Sequence, residues 1–181
     1  MNAASPTLPL RTAAKSPALT VRKATPSDGA LLGALCEEHA QQVAHERWPF
    51  GRNRADALEL MEALFETPTR AWAWIAYADG RPHGYAGATA GCSLLERGNY
   101  FQIESLYVRA GAQAREAERQ LFLRVLRMAR MLGCLNLQWR LPVDQVQRVH
   151  AQLPVGCVRT ASVHYVLPLE TNTYLRERSR V

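Results

Sequence analysis

The sequence predicts an α/β fold of the α+β kind, a mixed sheet in which one long helix connects two parallel strands. Three observations predict it. Residues 100–108 (YFQIESLYV) alternate as a strand, residues 113–132 repeat apolar side chains at three- and four-residue steps, and Leu135, Leu137 and Trp139 alternate again. Strand, long helix, strand is a crossover, and such connections join parallel strands. In the first strand the alternation sets Phe101, Ile103 and Tyr107 against Gln102, Glu104 and Leu106, a strand buried on one face and nearly so on the other. Ala110-Gly111-Ala112 marks a turn, and from Gln113 the set Leu121, Phe122, Val125, Leu126, Ala129 and Leu132 makes the inner face of the helix. Gly133 stands where a helix C-terminal cap belongs. The helix start aims backbone N–H groups at whatever binds beyond the first strand.

The other elements follow in order. Residues 1–18 lack acidic side chains and read as a disordered tail, although a transit peptide shares that composition. Leu19 to Lys23 is a short strand. Thr25-Pro26-Ser27-Asp28 starts a helix with a Thr cap, Pro in the first turn and a carboxylate. That helix runs to about His45, with Leu31, Leu32, Leu35, Cys36 and Val43 inward, and with His39 and His45 read as solvated or capped. Residues 45–51 (HERWPFG) either wall a pocket or staple two helices, and Asn53 caps a second helix containing Leu58, Leu60, Met61, Leu64 and Phe65. Ala71 to Ala78 and Pro82 to Cys92 form a hairpin across Asp79-Gly80, with Trp72, Trp74 and Tyr77 as core rings. Val143 to Leu153 reads as a further helix and Val163 to Leu169 as a last strand, with Tyr165 in the core. Residues 171–181, with Arg176, Arg178 and Arg180, read as a loose basic tail or a homodimer contact.

A chain of 181 residues is ordinarily one domain, here residues 19–169 between two tails. Its longest apolar run, Ala71 to Ala78, is too short to span a membrane. The net charge of +6 suits an anionic ligand, but no basic run with interleaved aromatics marks specific nucleic-acid binding. Cys36, Cys92, Cys134 and Cys157 are too widely spaced for a metal motif and read as buried free thiols in a cytoplasmic protein.

The order of elements, with YFQIESLYV, the Leu-rich helix ending in MLGC, and LNLQW, resembles the GNAT N-acyltransferase superfamily over residues 19–169. The resemblance implies a mixed, mostly antiparallel sheet of six to seven strands with about four helices. It also implies acetyl-CoA, or another acyl-CoA, as co-substrate and an amine on a small molecule or protein as acceptor. Residues 84–88 (GYAGA) resemble the superfamily's small-residue third strand. The superfamily's diphosphate loop, Q/R-x-x-G-x-G/A, falls on Gln113, Ala114, Arg115, Glu116, Ala117 and Glu118, with glutamate at both glycine positions. A second register uses residues 109–114. Leu106, Tyr107 and Val108 would carry the main-chain contacts to the acyl and pantetheine arm. Residues 103–108 (IESLYV) are similar to the polyamine and thialysine acetyltransferases, which makes Glu104 the base or amine binder. For the acid, one register puts Gln152 and another His150 at the superfamily's Tyr position, and of the two only His150 can protonate a thiolate.

Acyl transfer needs a deprotonated amine, donors for the thioester oxygen and an acid for the leaving thiolate. Glutamate at both glycine positions opposes a diphosphate, unless the side chains turn outward beside Arg115 and Arg119. Two functional readings follow: an N-acetyltransferase, and a pseudoenzyme of the same fold that no longer takes coenzyme A and serves as a binding or regulatory module.

Overall fold

The computed structural model describes residues 18–43, 57–141 and 154–161. Among the described residues the sheet has five strands in the order β1-β2-β3-β4-β5: Leu19–Lys23, Ala71–Ala78, Arg81–Ser93, Gly98–Val108 and Asn136–Trp139. Neighbouring strands pair antiparallel except β4 and β5, which are parallel. Helices α1 (Gly29–Val43) and α2 (Ala57–Phe65) precede the hairpin, and α3 (Ala114–Met131) makes the crossover. The expected helix over Val143 to Leu153 and strand over Val163 to Leu169 lie outside the described residues, as do both tails, Trp48, Phe50, Asn53, His150, Gln152 and Tyr165.

The hairpin forms where Asp-Gly allows it. Asp79 and Gly80 have φ of 51° and 75°, so both central residues adopt the left-handed region that matches strand twist. At the far end of α3, Gly133 takes φ 67°. The Gly133 N–H donates to the Arg130 carbonyl at 3.1 Å and the Cys134 N–H to the Ala129 carbonyl at 3.0 Å, the paired bonds of a Schellman cap. This stops the helix and delivers Leu135, whose N–H donates to the Asn99 carbonyl at 2.7 Å, to the edge of β4.

Two apolar cores flank the sheet. On one face Ala117, Leu121, Val125 and Ala129 of α3 bury against Trp74, Ala86, Ala88, Phe101 and Ile103. Alanines at 76, 86 and 88 keep the sheet surface low, so the helix can lie close. On the other face Leu32, Leu35 and Leu64 cover Ala73, Ile75 and Tyr85. Cys92 and Cys157 are exposed and Cys36 and Cys134 half-buried, which corrects the expectation of four buried thiols.

A bulge divides β4. Gly87 pairs with Ser105 and Ala88 with Ile103, leaving Glu104 as the extra residue. Side-chain alternation therefore changes phase there. Phe101 and Ile103 pack with α3, whereas Tyr107 packs with the α1 and α2 core and Leu106 and Val108 move to the α3 side. The expectation that Tyr107 shares the face of Phe101 and Ile103 is corrected by this one inserted residue.

The first turn is a short 3₁₀ helix, Pro26–Asp28, rather than the start of a continuous α-helix. Buried Asp28 accepts from both terminal nitrogens of Arg22 at 2.6 Å, from the Thr25 N–H at 2.8 Å and from the Thr25 hydroxyl at 2.7 Å. The Arg22 guanidinium, helped by Thr25 and opposed by burial, holds the Asp28 carboxyl far below the usual carboxylate range. Asp28→Asn will cost about 1–3 kcal/mol, the range for losing charged hydrogen bonds. Because the folded-state value is depressed, this contribution is complete above about pH 5 and fades as pH falls. Urea midpoints measured from neutral pH downward should fall more steeply for the wild type than for the Asn variant, and parallel curves would contradict the assignment.

Candidate active site

The β4–β5 pairing runs from Tyr100–Asn136 to Ile103–Trp139. Beyond Ile103, β4 continues to Val108 while β5 ends at Trp139, so the two parallel strands are not hydrogen-bonded along the length of β4. The bulge at Glu104 falls where this pairing stops. Past that point Leu106, Tyr107 and Val108 form one wall of a cleft of about 230 Å³. Its other walls are His39, Gln42 and Val43 from α1, and Ala114 and Glu118 from α3. A strand with unshared main-chain edge, beside a helix start, presents N–H and C=O groups to a ligand.

The predicted loop residues occupy the start of α3. Gln113 is the residue before the helix, with φ −101° and ψ −1°, and Ala114 is its first residue. Arg115 is exposed and Ala117 is fully buried against the sheet. The two glutamates diverge. Glu116 turns outward, accepting from Arg119 at 2.6 and 2.8 Å and from Gln120 at 2.8 Å. The Arg119 guanidinium, with Gln120, lowers its carboxyl to about 2. Glu118 instead lines the cleft, where burial raises its carboxyl against the opposing pull of Arg115. The outward arrangement expected for both therefore holds for Glu116 alone. Residues two apart on a helix lie about 200° apart around its axis, so both could not face one way.

In the alternative loop register the first residue, Arg109, is held by an ion pair. The Arg109 guanidinium donates to Glu38 at 2.5 and 2.8 Å, in bidentate fashion, and to the Pro82 carbonyl at 2.5 Å. The Arg109 side chain thus ties the end of β4 to α1. The same pair lowers the Glu38 carboxyl through its hydrogen bonds to Arg109.

Glu104 is exposed rather than buried in an apolar strand, and its Oε1 accepts from the Thr89 hydroxyl at 2.9 Å. A solvated carboxylate avoids the desolvation cost that a buried one would carry, so burial is not the reason for its presence here. His39, read from the sequence as solvated or capped, lines the same cleft. Its ring stacks on Tyr107 with centroids 5.1 Å apart and planes at 17°, and its Nδ1 lies 3.0 Å from the Tyr85 hydroxyl. The available signal was its place one turn after Cys36 on a helix whose inner face is otherwise apolar.

No protein-family model and no curated protein matches the sequence. Solved structures do match in shape. A probable acetyltransferase superposes with TM-score 0.66 at 18% identity, covering 84% of this chain and 99% of that one. The aminoglycoside N-acetyltransferase AAC(6')-Iy, in complex with a coenzyme A bisubstrate analogue, gives 0.63 at 20% identity over 84% and 99%. The ribosomal-protein-alanine N-acetyltransferase of Brucella melitensis biovar Abortus 2308 gives 0.62 at 16% over 84% and 100%. Each of the three covers more than four fifths of this chain, and the chain has the fold of the GNAT N-acetyltransferases.

Proposed function

We propose that this protein is an N-acetyltransferase that moves an acetyl group from acetyl-CoA to a primary amine. The observation that carries the reading is the parting of β4 and β5 beside the Glu104 bulge, which leaves the main chain of Leu106, Tyr107 and Val108 along a cleft that ends at the start of α3. Main-chain N–H groups there would bind the acyl and pantetheine arm and stabilise charge on the thioester oxygen. The first turn of α3, from Gln113 to Glu118, would hold the diphosphate, with Arg115 as the added cation. Glu104, two residues before the cleft wall and open to solvent, would attract the cationic acceptor or take its proton. The run from Ile103 to Val108 favours a flexible primary amine of the polyamine or thialysine kind, and His150 remains the proposed acid for the leaving thiolate.

Glu118 favours a second reading, a binding or regulatory module that no longer takes coenzyme A, because its carboxylate shares the cleft with the ligand's anionic end. A charge about 4 Å from a phosphate costs on the order of 4 kcal/mol at an intermediate dielectric. Solvent and Arg115 offset most of that, leaving about 1.4 kcal/mol, or tenfold in affinity. Titration calorimetry with acetyl-CoA decides between the two readings. The transferase reading expects binding by the wild type, roughly tenfold tighter binding by Glu118→Gln, and wild-type affinity that improves as acidification neutralises Glu118. Absence of binding by both proteins at millimolar acetyl-CoA would leave the module as the reading.

A further inference from the structure

We infer that the end of the sheet remote from the cleft docks on an anionic lipid bilayer, with Leu94 and Leu95 inserted among the headgroups. Nothing in this depends on the transferase reading. Three elements meet at that end. β4 begins there at Gly98, α3 finishes there at Met131, and the chain returns through Gly133 to Leu135, whose N–H bonds to the Asn99 carbonyl. The turn of residues 94–97, which joins β3 to β4, projects beyond them. Leu94 and Leu95 in this turn are 89% and 94% exposed. At its base Leu135 lies against Gly98, where a Cβ would collide with the leucine, and is itself exposed. Met131 and Leu132 are exposed where the helix ends, just before that return. Apolar side chains gathered in this way, rather than scattered singly, mark a contact surface.

The turn is held in its outward posture. The Ser93 hydroxyl accepts from the Glu96 N–H at 3.1 Å, the Glu96 carboxylate accepts from the Asn136 side chain at 3.2 Å, and Arg97 closes the turn with φ 55°. Charge points to the occupant. From Arg119 to Val143 the sequence has five arginines and no acidic residue. Arg97 in the turn and Arg127 and Arg130 near the end of α3 are exposed, and among the described residues none of the three has an acidic partner. The carboxylate of the turn, Glu96, is engaged by Asn136. The apolar tip therefore carries a collar of unpaired guanidinium groups, complementary to lipid phosphates.

A projecting turn with two leucines is small against the roughly 800 Å² that a stable protein interface takes from each partner. Insertion among headgroups asks for less: apolar side chains that enter the layer and cations that stay at the level of the phosphates. The docking is onto the surface and not across it, since among the described residues no helix is long and apolar enough to cross a membrane. It also leaves the cleft clear. Leu106 lies roughly 25 Å along β4 from Gly98, so the cleft walls stay in water while the turn is inserted.

The test is co-sedimentation of the full chain with vesicles of phosphatidylcholine alone and of phosphatidylcholine carrying about 30% phosphatidylserine. The wild type should pellet with the anionic vesicles, and raising the salt from about 0.1 M to about 0.5 M should release it. Leu94→Ser combined with Leu95→Ser should weaken partitioning about tenfold, and its urea midpoint should match that of the wild type because both positions are exposed. Arg127→Gln combined with Arg130→Gln should weaken it about fivefold for each charge removed. A wild type that stays in solution beside anionic vesicles would overturn the inference, as would equal pelleting with both kinds of vesicle. A leucine variant that pellets as the wild type does would overturn it too. Light scattering without vesicles adds a further arm: a wild-type dimer that the leucine variant turns into a monomer would give this face to a second copy of the chain and overturn lipid docking.

Discussion

Glu104→Gln should lower kcat/KM for the amine about a hundredfold while leaving acetyl-CoA binding unchanged. Proton-transfer groups contribute roughly 10²–10⁴ in rate, and the low end applies because this carboxylate is solvated and not held in an apolar pocket. The amide keeps an oxygen to accept from Thr89, so the 2.9 Å hydrogen bond survives and the change is one of charge. The division of the loss is informative. A carboxylate that gathers the ammonium makes its loss appear in KM, whereas one that takes the proton makes it appear in kcat. Steady-state kinetics at saturating acetyl-CoA separates the two, and unchanged values of both would remove Glu104 from the site.

Phe101→Ala should destabilise the fold by about 3–5 kcal/mol, a large share of the whole stability of a small domain. Phe101 is 0% exposed and meets Trp72 edge-on with centroids 5.2 Å apart. It sits beneath α3 and beside Leu137, so its removal loosens the crossover on which the cleft is built. Leu94→Ala, at an 89% exposed position in the turn before β4, should change stability by no more than about 0.5 kcal/mol. Chemical denaturation of the two variants provides the comparison. A loss below about 1 kcal/mol for Phe101→Ala would mean that α3 is not anchored as described.

What could be read in the residues, and what could not, follows from the range of the forces involved. Asp79-Gly80 and Gly133 announce their turns because few residues adopt those backbone angles, and the angles are where the sequence placed them. The crossover was legible because a change of period from two to 3.6 and back leaves few topologies. The bulge was not. It depends on how Gly87 and Ala88 meet β4, a contact between residues distant along the chain, and alternation alone carried the original phase through to Tyr107. The surroundings of His39, read from the sequence as solvated or capped, were not legible for the same reason, since Tyr85 and Tyr107 come from two different strands. The divergence of Glu116 and Glu118 could have been read, because helical geometry separates positions two apart whatever surrounds them.

The extra residue at 104 gives β4 two halves that obey opposite rules about which side is greasy. Upstream, the odd-numbered side chains are committed to holding a helix in place; downstream, the odd-numbered ones are released to the opposite surface, where Tyr107 meets His39. Excising that single position would restore a regular ladder without exchanging the faces, because Ser105 would follow Ile103 in the register both already hold, with Tyr107 still toward α1 and Leu106 toward α3. Such a shortened chain would keep its architecture and lose the local kink that falls where β4 and β5 part.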